Sequence, residues 1–174
     1  MPTFFSDQWT TGLDQTSLPT LPSETEPHAG IKHARERVTI GRMTVTNAAA
    51  GDIFRFLTLR SSDRLLALYF STLGIMTGAD DASLGIYLSG DNHDGAVEDV
   101  DLFDVVLDLL AVSNHADMFT NAALTHMQRG QPLWELNGDS VDPHVNYDVA
   151  ITTIAEPVGA ADVLAIEAHY LAGD

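Results

Sequence analysis

From Arg37 onward, apolar and polar side chains alternate in short runs, the period-two signature of strands that bury one face. Residues 37–46 place Val38 and Ile40 on one face and Met43 and Val45 on the other phase, and the shift at Gly41 predicts a glycine-hosted bulge. Residues 48–52 (Ala-Ala-Ala-Gly-Asp) turn the chain. The runs 53–59 and 64–72 follow, split by Arg60-Ser61-Ser62-Asp63, a polar link suited to a hairpin or a tight corner. In the second run Leu66, Leu68 and Phe70 are expected to share a face. Residues 83–89 repeat the alternation with Leu84, Ile86 and Leu88 between Gly- and Asp-rich turns. The stretch 101–112 breaks it: Leu102, Val105, Val106, Leu109 and Leu110 recur at helical spacing with Asp101, Asp104 and Asp108 opposite, which predicts one short helix.

Residues 113–130 carry little pattern, and Leu133-Trp134-Glu135-Leu136 reads as a short strand. The last two runs are the clearest. Residues 147–154 set Val149 and Ile151 on one side, and 162–171 alternate Leu164, Ile166, Ala168 and Tyr170 against Ala165, Glu167 and His169. Glu156-Pro157-Val158-Gly159 between them predicts an antiparallel hairpin. Seven or eight short strands joined by Gly, Asp and Pro turns point to a mainly β fold, an antiparallel β-sandwich of jelly-roll type with at most one or two short helices.

Residues 1–30 differ in kind. They are rich in Thr, Ser and Pro (Pro2, Pro19, Pro22, Pro27) and hold neither period, so the sequence divides into an extended N-terminal arm, 1–30, and a sandwich domain, 31–174. The arm nevertheless carries Phe4, Phe5, Trp9, Leu13, Leu18 and Leu21. Such spaced anchors fit a segment that gains order along a neighbouring subunit; the plainer reading is a tail with a few adhesive residues.

At 174 residues one domain with a real core is expected. Charge is distributed unevenly. Seven of the eight cations (Lys32, Arg35, Arg37, Arg42, Arg55, Arg60, Arg64) lie up to residue 64 and are cancelled by seven acids, so the net charge of −17 belongs to residues 65–174. That acidic body would be repelled by phosphate backbones, so nucleic acid is not an expected partner. The basic shoulder is expected to dock on something acidic. Its arginines have a plainer reading too, as cross-strand partners of Glu36, Asp52 and Asp63. No run of about 20 apolar residues is present, so a membrane partner is not expected either.

Chemistry is sparse. With no cysteine there is no thiolate nucleophile or thiolate metal ligand, and Gly-x-Ser-x-Gly, Gly-x-Gly-x-x-Gly and His-Glu-x-x-His are all missing. The seven histidines are scattered, which favours structural or surface roles; His169 is expected to face solvent or a neighbour. Asp91-Asn92-His93-Asp94-Gly95, with Glu98, Asp99 and Asp101, is the one stretch with hard-cation ligands, but its spacing departs from an EF-hand loop and it reads as a solvated turn. No enzyme activity, cofactor or metal is expected.

One resemblance adds to this. Gly51-Asp52 followed by Phe54, Phe56, Leu57 and Leu59, then Arg64-Leu65-Leu66-Ala67-Leu68, and towards the C-terminus Pro132-Leu133-Trp134-Glu135-Leu136, Asp142-Pro143 and Tyr147-Asp148-Val149-Ala150-Ile151-Thr152, resemble the head decoration or cement proteins of tailed bacteriophages over roughly residues 37–171. The resemblance implies a noncatalytic virion structural protein on the outer capsid surface, a homotrimer that bridges subunits of the major capsid protein and stabilises the shell. Under that reading Phe4, Phe5, Trp9, Lys32, Arg35, Arg37 and Arg42 are the candidate contacts with the capsid or a neighbouring subunit. The alternative is a carbohydrate- or receptor-binding sandwich of a virion fibre or tail, with Trp134 or Tyr147 lining a glycan cleft.

Overall fold

The computed structural model describes residues 36–45, 49–73, 82–107, 109, 113–120, 124–154 and 162–173. Eight strands, β1 (Glu36–Val45), β2 (Ile53–Arg60), β3 (Arg64–Thr72), β4 (Ala82–Leu88), β5 (Val97–Leu107), β6 (Ala116–Asp117), β7 (Asn146–Thr153) and β8 (Asp162–Leu171), form two antiparallel sheets. The first runs β1-β8-β3-β6 and the second β2-β7-β4-β5. The partnerships are nested, β1 with β8, β2 with β7, β3 with β6 and β4 with β5. That is the jelly-roll arrangement, in which a long hairpin is rolled so that successive strands change sheet. The expected fold class is therefore the observed one.

The core lies between the sheets. Leu57 and Leu59 of β2, Leu68 and Phe70 of β3, Leu84 and Ile86 of β4, Val149 and Ile151 of β7, and Leu164 and Ile166 of β8 are all buried in it. Each such side chain contributes about 1.5–3 kcal/mol by leaving water. Strand β8 shows why alternation is a reliable guide: Leu164, Ile166 and Ala168 point inward, while Ala165, Glu167 and His169 stay partly exposed.

Several local expectations need correcting. Gly41 hosts no bulge, because β1 pairs with β8 without a register shift from Glu36 to Val45. A Cβ at Gly41 would instead overlap the backbone carbonyl of Phe56, so the glycine is needed where the two sheets approach. Val38 and Ile40 do share a face, but it is the outer one, at 54% and 61% exposure. In β3 a register shift between Leu65 and Ala67 changes the phase, so Leu68 and Phe70 are buried with Leu65 while Leu66 is not.

Where a helix is expected over 101–112, residues 101–107 belong to the strand β5, and 108 and 110–112 lie outside the described residues. Ten residue steps from Val97 to Leu107 oppose only five from Tyr87 to Ala82, through three register shifts. The shifts insert one, three and one extra residues into β5, and each odd insertion flips the pattern, which imitates helical spacing. Conversely, Leu133–Leu136 is no strand but a single α-helical turn, α1. Leu133 and Leu136, three apart, are its buried face, and Pro132 opens it. Leu133 and Trp134 donate their amide N–H groups to the carbonyls of Asp63 and Ser61, seating the turn on the β2–β3 corner. Finally, β7 and β8 form no hairpin: β7 lies between β2 and β4, β8 between β1 and β3. The only other helical pieces among the described residues are 3₁₀ turns at Met118–Thr120 and His126–Gln128.

Candidate docking surface

Of the seven proposed contacts, Phe4, Phe5, Trp9, Lys32 and Arg35 lie outside the described residues, as does the whole of the arm. Arg37 and Arg42 are exposed on β1. Five residues apart on an unbroken strand, they project from opposite faces, so the pleat does not gather them into one patch. Arg42 shares the outer face with Val38 and Ile40. Arg37 has the parity of Thr39 and Gly41 and turns towards the second sheet at the mouth of the sandwich.

The other arginines divide sharply. Arg55 is structural. Its guanidinium donates to Asp148 Oδ2 at 3.0 Å and to the carbonyls of Leu88 (2.9 Å) and Gly95 (2.6 Å), and it lies 5.0 Å from the centre of the Tyr87 ring. Asp148 is 1% exposed, yet all its acceptor capacity is used. Besides Arg55, the Thr58 hydroxyl donates to it at 2.7 Å, the Ser89 hydroxyl at 2.9 Å and His93 Nδ1 at 2.9 Å. Burial alone would raise its pKa; the hydrogen bonds from Thr58, His93, Arg55 and Ser89 outweigh that and hold it below the ordinary carboxylate range. Arg129 is engaged likewise, with Asp117, the Leu66 carbonyl and the Phe119 ring, and Arg64 donates to the Gly130 carbonyl at 3.1 Å. Among the described residues none of the expected local pairs forms. Glu36 meets His169, while Asp52 and Asp63 accept backbone N–H groups from Ala49 and Arg60.

Two arginines share a cleft at one end of the sandwich. Arg37 from β1 and Arg60 from the end of β2 line a cleft of about 400 Å³ together with Thr58, Asp63, Asn146 and Tyr170 and the C-terminal Ala172 and Gly173. Among the described residues neither arginine makes an ion pair. Sequence reasoning grouped Arg37 with Arg42 and named Arg60 only as a cation of the shoulder. The signal for the cleft was the corner Arg60-Ser61-Ser62-Asp63, which has to bring the end of β2 across to the other sheet.

A second polar group covers the outer face of the first sheet. His169 sits between two carboxylates, with Nδ1 2.8 Å from Glu36 Oε1 and Nε2 2.7 Å from Glu167 Oε1. Those bonds to Glu167 and Glu36 raise its pKa against the opposing effect of burial. Tyr69 meets its ring edge-on at 5.6 Å and stacks on His115 at 3.8 Å. His169 thus faces partial solvent, as expected, but with both nitrogens committed.

The glycan cleft loses one of its walls. Tyr147 is 1% exposed, and burial, with the charges of Asp139 and Glu98, pushes its phenol up to about 12. In the turn Asp91–Gly95, His93 is turned onto Asp148, and no group of three or more His, Asp or Glu side chains with metal-holding geometry occurs among the described residues. No helix there is long and apolar enough to cross a membrane.

No protein-family model and no curated protein sequence matches the chain. Solved structures do. A chain of the capsid of Ralstonia phage GP4 superposes with a TM-score of 0.52 at 14% identity, covering 92% of this chain and 94% of that one. The two share a fold. A chain of the cyanophage Pam1 capsid asymmetric unit aligns over 92% of this chain and 98% of its own at 13% identity, TM-score 0.41. One from the capsid of Helicobacter pylori bacteriophage KHP30 aligns over 79% and 92% at 9% identity, TM-score 0.39. Scores this low add nothing to the argument from the GP4 chain.

Proposed function

We propose that the chain is a noncatalytic structural protein of a phage virion that decorates the outer capsid surface and stabilises it by bridging subunits of the major capsid protein, as a homotrimer. The observation that carries this reading is the jelly roll shared, end to end and at nearly equal length, with a chain of the GP4 capsid. The charge distribution supports the same role. A body with net charge −17 stays soluble and repels other copies, while Arg37, Arg42 and Arg60, which make no ion pair among the described residues, lie in the first two strands. Bridging needs only modest area per contact, because many simultaneous weak contacts multiply into high avidity. On this reading the arm, 1–30, with Phe4, Phe5 and Trp9, and the basic residues Lys32, Arg35, Arg37 and Arg42 supply contacts to the shell or to a neighbouring copy.

The test is made on particles. Immunogold labelling and quantitative mass spectrometry of purified virions are expected to find the chain on the outside in many copies, and particles lacking it are expected to rupture at lower temperature. Its absence from purified particles would overturn the proposal.

A further inference from the structure

The end cleft has a definite chemistry. Its walls come from four strands that meet only because the chain is rolled: the start of β1 and end of β8 from one sheet, the end of β2 and start of β7 from the other. At about 400 Å³ it falls in the range of small-ligand sites, towards the lower end. Arg37, Arg60, Asn146 and Tyr170 bring donors to it, and none of these side chains has a hydrogen-bond or ion-pair partner among the described residues. The one acid in the wall among the described residues, Asp63, accepts the N–H of Arg60 at 2.8 Å on Oδ2 and that of Gly173 at 2.9 Å on Oδ1.

The described wall is therefore rich in donors, and Arg37 and Arg60 set against Asp63 leave it one net positive charge. Guanidinium groups stay charged at any working pH and match a carboxylate two bonds at a time. A single carboxylate would neutralise the wall. A polyphosphate would overshoot it and meet the field of a body with net charge −17. In so acidic a protein, two arginines that line one cleft with no ion pair among the described residues are better explained by an external partner than by the fold, which gives Arg55 and Arg129 acids of their own.

We propose that the cleft lined by Arg37, Arg60 and Asn146 is a carboxylate-binding site that takes an Asp or Glu side chain presented by an acidic segment of a partner protein. This deepens the docking role above and rests on it only for the identity of the partner, since the recognition chemistry belongs to the cleft itself.

The test titrates the full ¹⁵N-labelled chain with a short Glu-containing peptide and with its Gln counterpart, at low and at moderate salt. The Glu peptide is expected to shift the amides around Asn146 and Gly173 and to bind at least tenfold more tightly than the Gln peptide. The pair Arg37→Gln and Arg60→Gln should weaken it at least tenfold, whereas Arg42→Gln, on the opposite face of β1, should not. Absence of binding, equal binding of the Gln peptide, or binding undiminished in the double variant would overturn the site. Free acetate or citrate binding as tightly as the peptide would overturn the peptide partner. A chain that binds the peptide yet is missing from virions sinks the capsid role and leaves the cleft; a chain found on virions that ignores the peptide does the reverse.

Discussion

Arg55 and Arg60 stand five residues apart on β2 and lead opposite lives. Arg55 lies under the segment that follows β4, held by Asp148 and two carbonyls; Arg60 stands at the end of the sandwich with no ion pair among the described residues. The difference arises from what the rolled chain lays over each position. The outer face of the second sheet has a lid, made from Ser89, His93 and Gly95 and from β5, whose residues Asp99 and Val100 pass so close to Gly85 that a Cβ there would overlap them. Among the described residues the end of the sandwich has none. One arginine is a fastener within the fold, and the other is left for something outside it.

The sharpest way to break this contrast is Asp148→Ala. Removing one partner of a buried pair leaves the other uncompensated, a loss of about 3–5 kcal/mol. Urea denaturation should show it, and a loss under about 1 kcal/mol would mean that Arg55 is as free as Arg60. The same network predicts acid sensitivity. Because Asp148 is held below its unfolded pKa, its contribution is present above that value and fades as pH falls through the folded one. Next in size is Gly41→Ala, which forces a methyl against the Phe56 carbonyl and should cost about 1–3 kcal/mol, read as a lowered Tm. If Tm stayed level, the close approach of the sheets at Gly41 would be wrong.

How much of this was legible in the sequence follows from the same geometry. Period-two runs found β1, β2, β3, β4, β7 and β8, because each has one face in the core. β5 escaped because its bulges break the period. Leu133 and Leu136 passed for a strand because four residues are too few to tell three-apart from two-apart spacing. The supposed hairpin between β7 and β8 failed because short connections join neighbours in space without saying which sheet each enters. Arg55–Asp148 was invisible for a simpler reason: 93 positions separate the partners. The one hint was a carboxylate set between Tyr147 and Val149 in an apolar strand, where only a satisfied charge is tolerated.

A smaller effect sets the first sheet's outer face against the second's. With both nitrogens facing carboxylates of Glu36 and Glu167, His169 binds its proton more tightly folded than unfolded. Its contribution is therefore complete below the ordinary histidine pKa of about 6.5 and is lost as pH rises through the higher folded value. The groups facing it are Glu36 from β1, Glu167 on its own strand and Tyr69 from β3, with His115 3.8 Å from Glu167. Tm should decline gently over that window in the wild type and much less in His169→Gln; parallel profiles would remove His169 as the cause.

The least disturbance is expected where the comparison began. Arg60→Gln and Arg37→Gln remove charges that the fold does not use, so each should leave unfolding free energy within about 0.5 kcal/mol of wild type. Arg55→Gln, the same chemical change five residues away, strands Asp148 among the remaining hydroxyls and should destabilise by several times that amount. The three variants form a controlled set, since side chain and substitution are constant, Arg55 and Arg60 share β2, and the surroundings differ. Equal losses in all three would mean that Arg37 and Arg60 hold the sandwich together as Arg55 does, and the end of the molecule would then have no charge to spare for a partner.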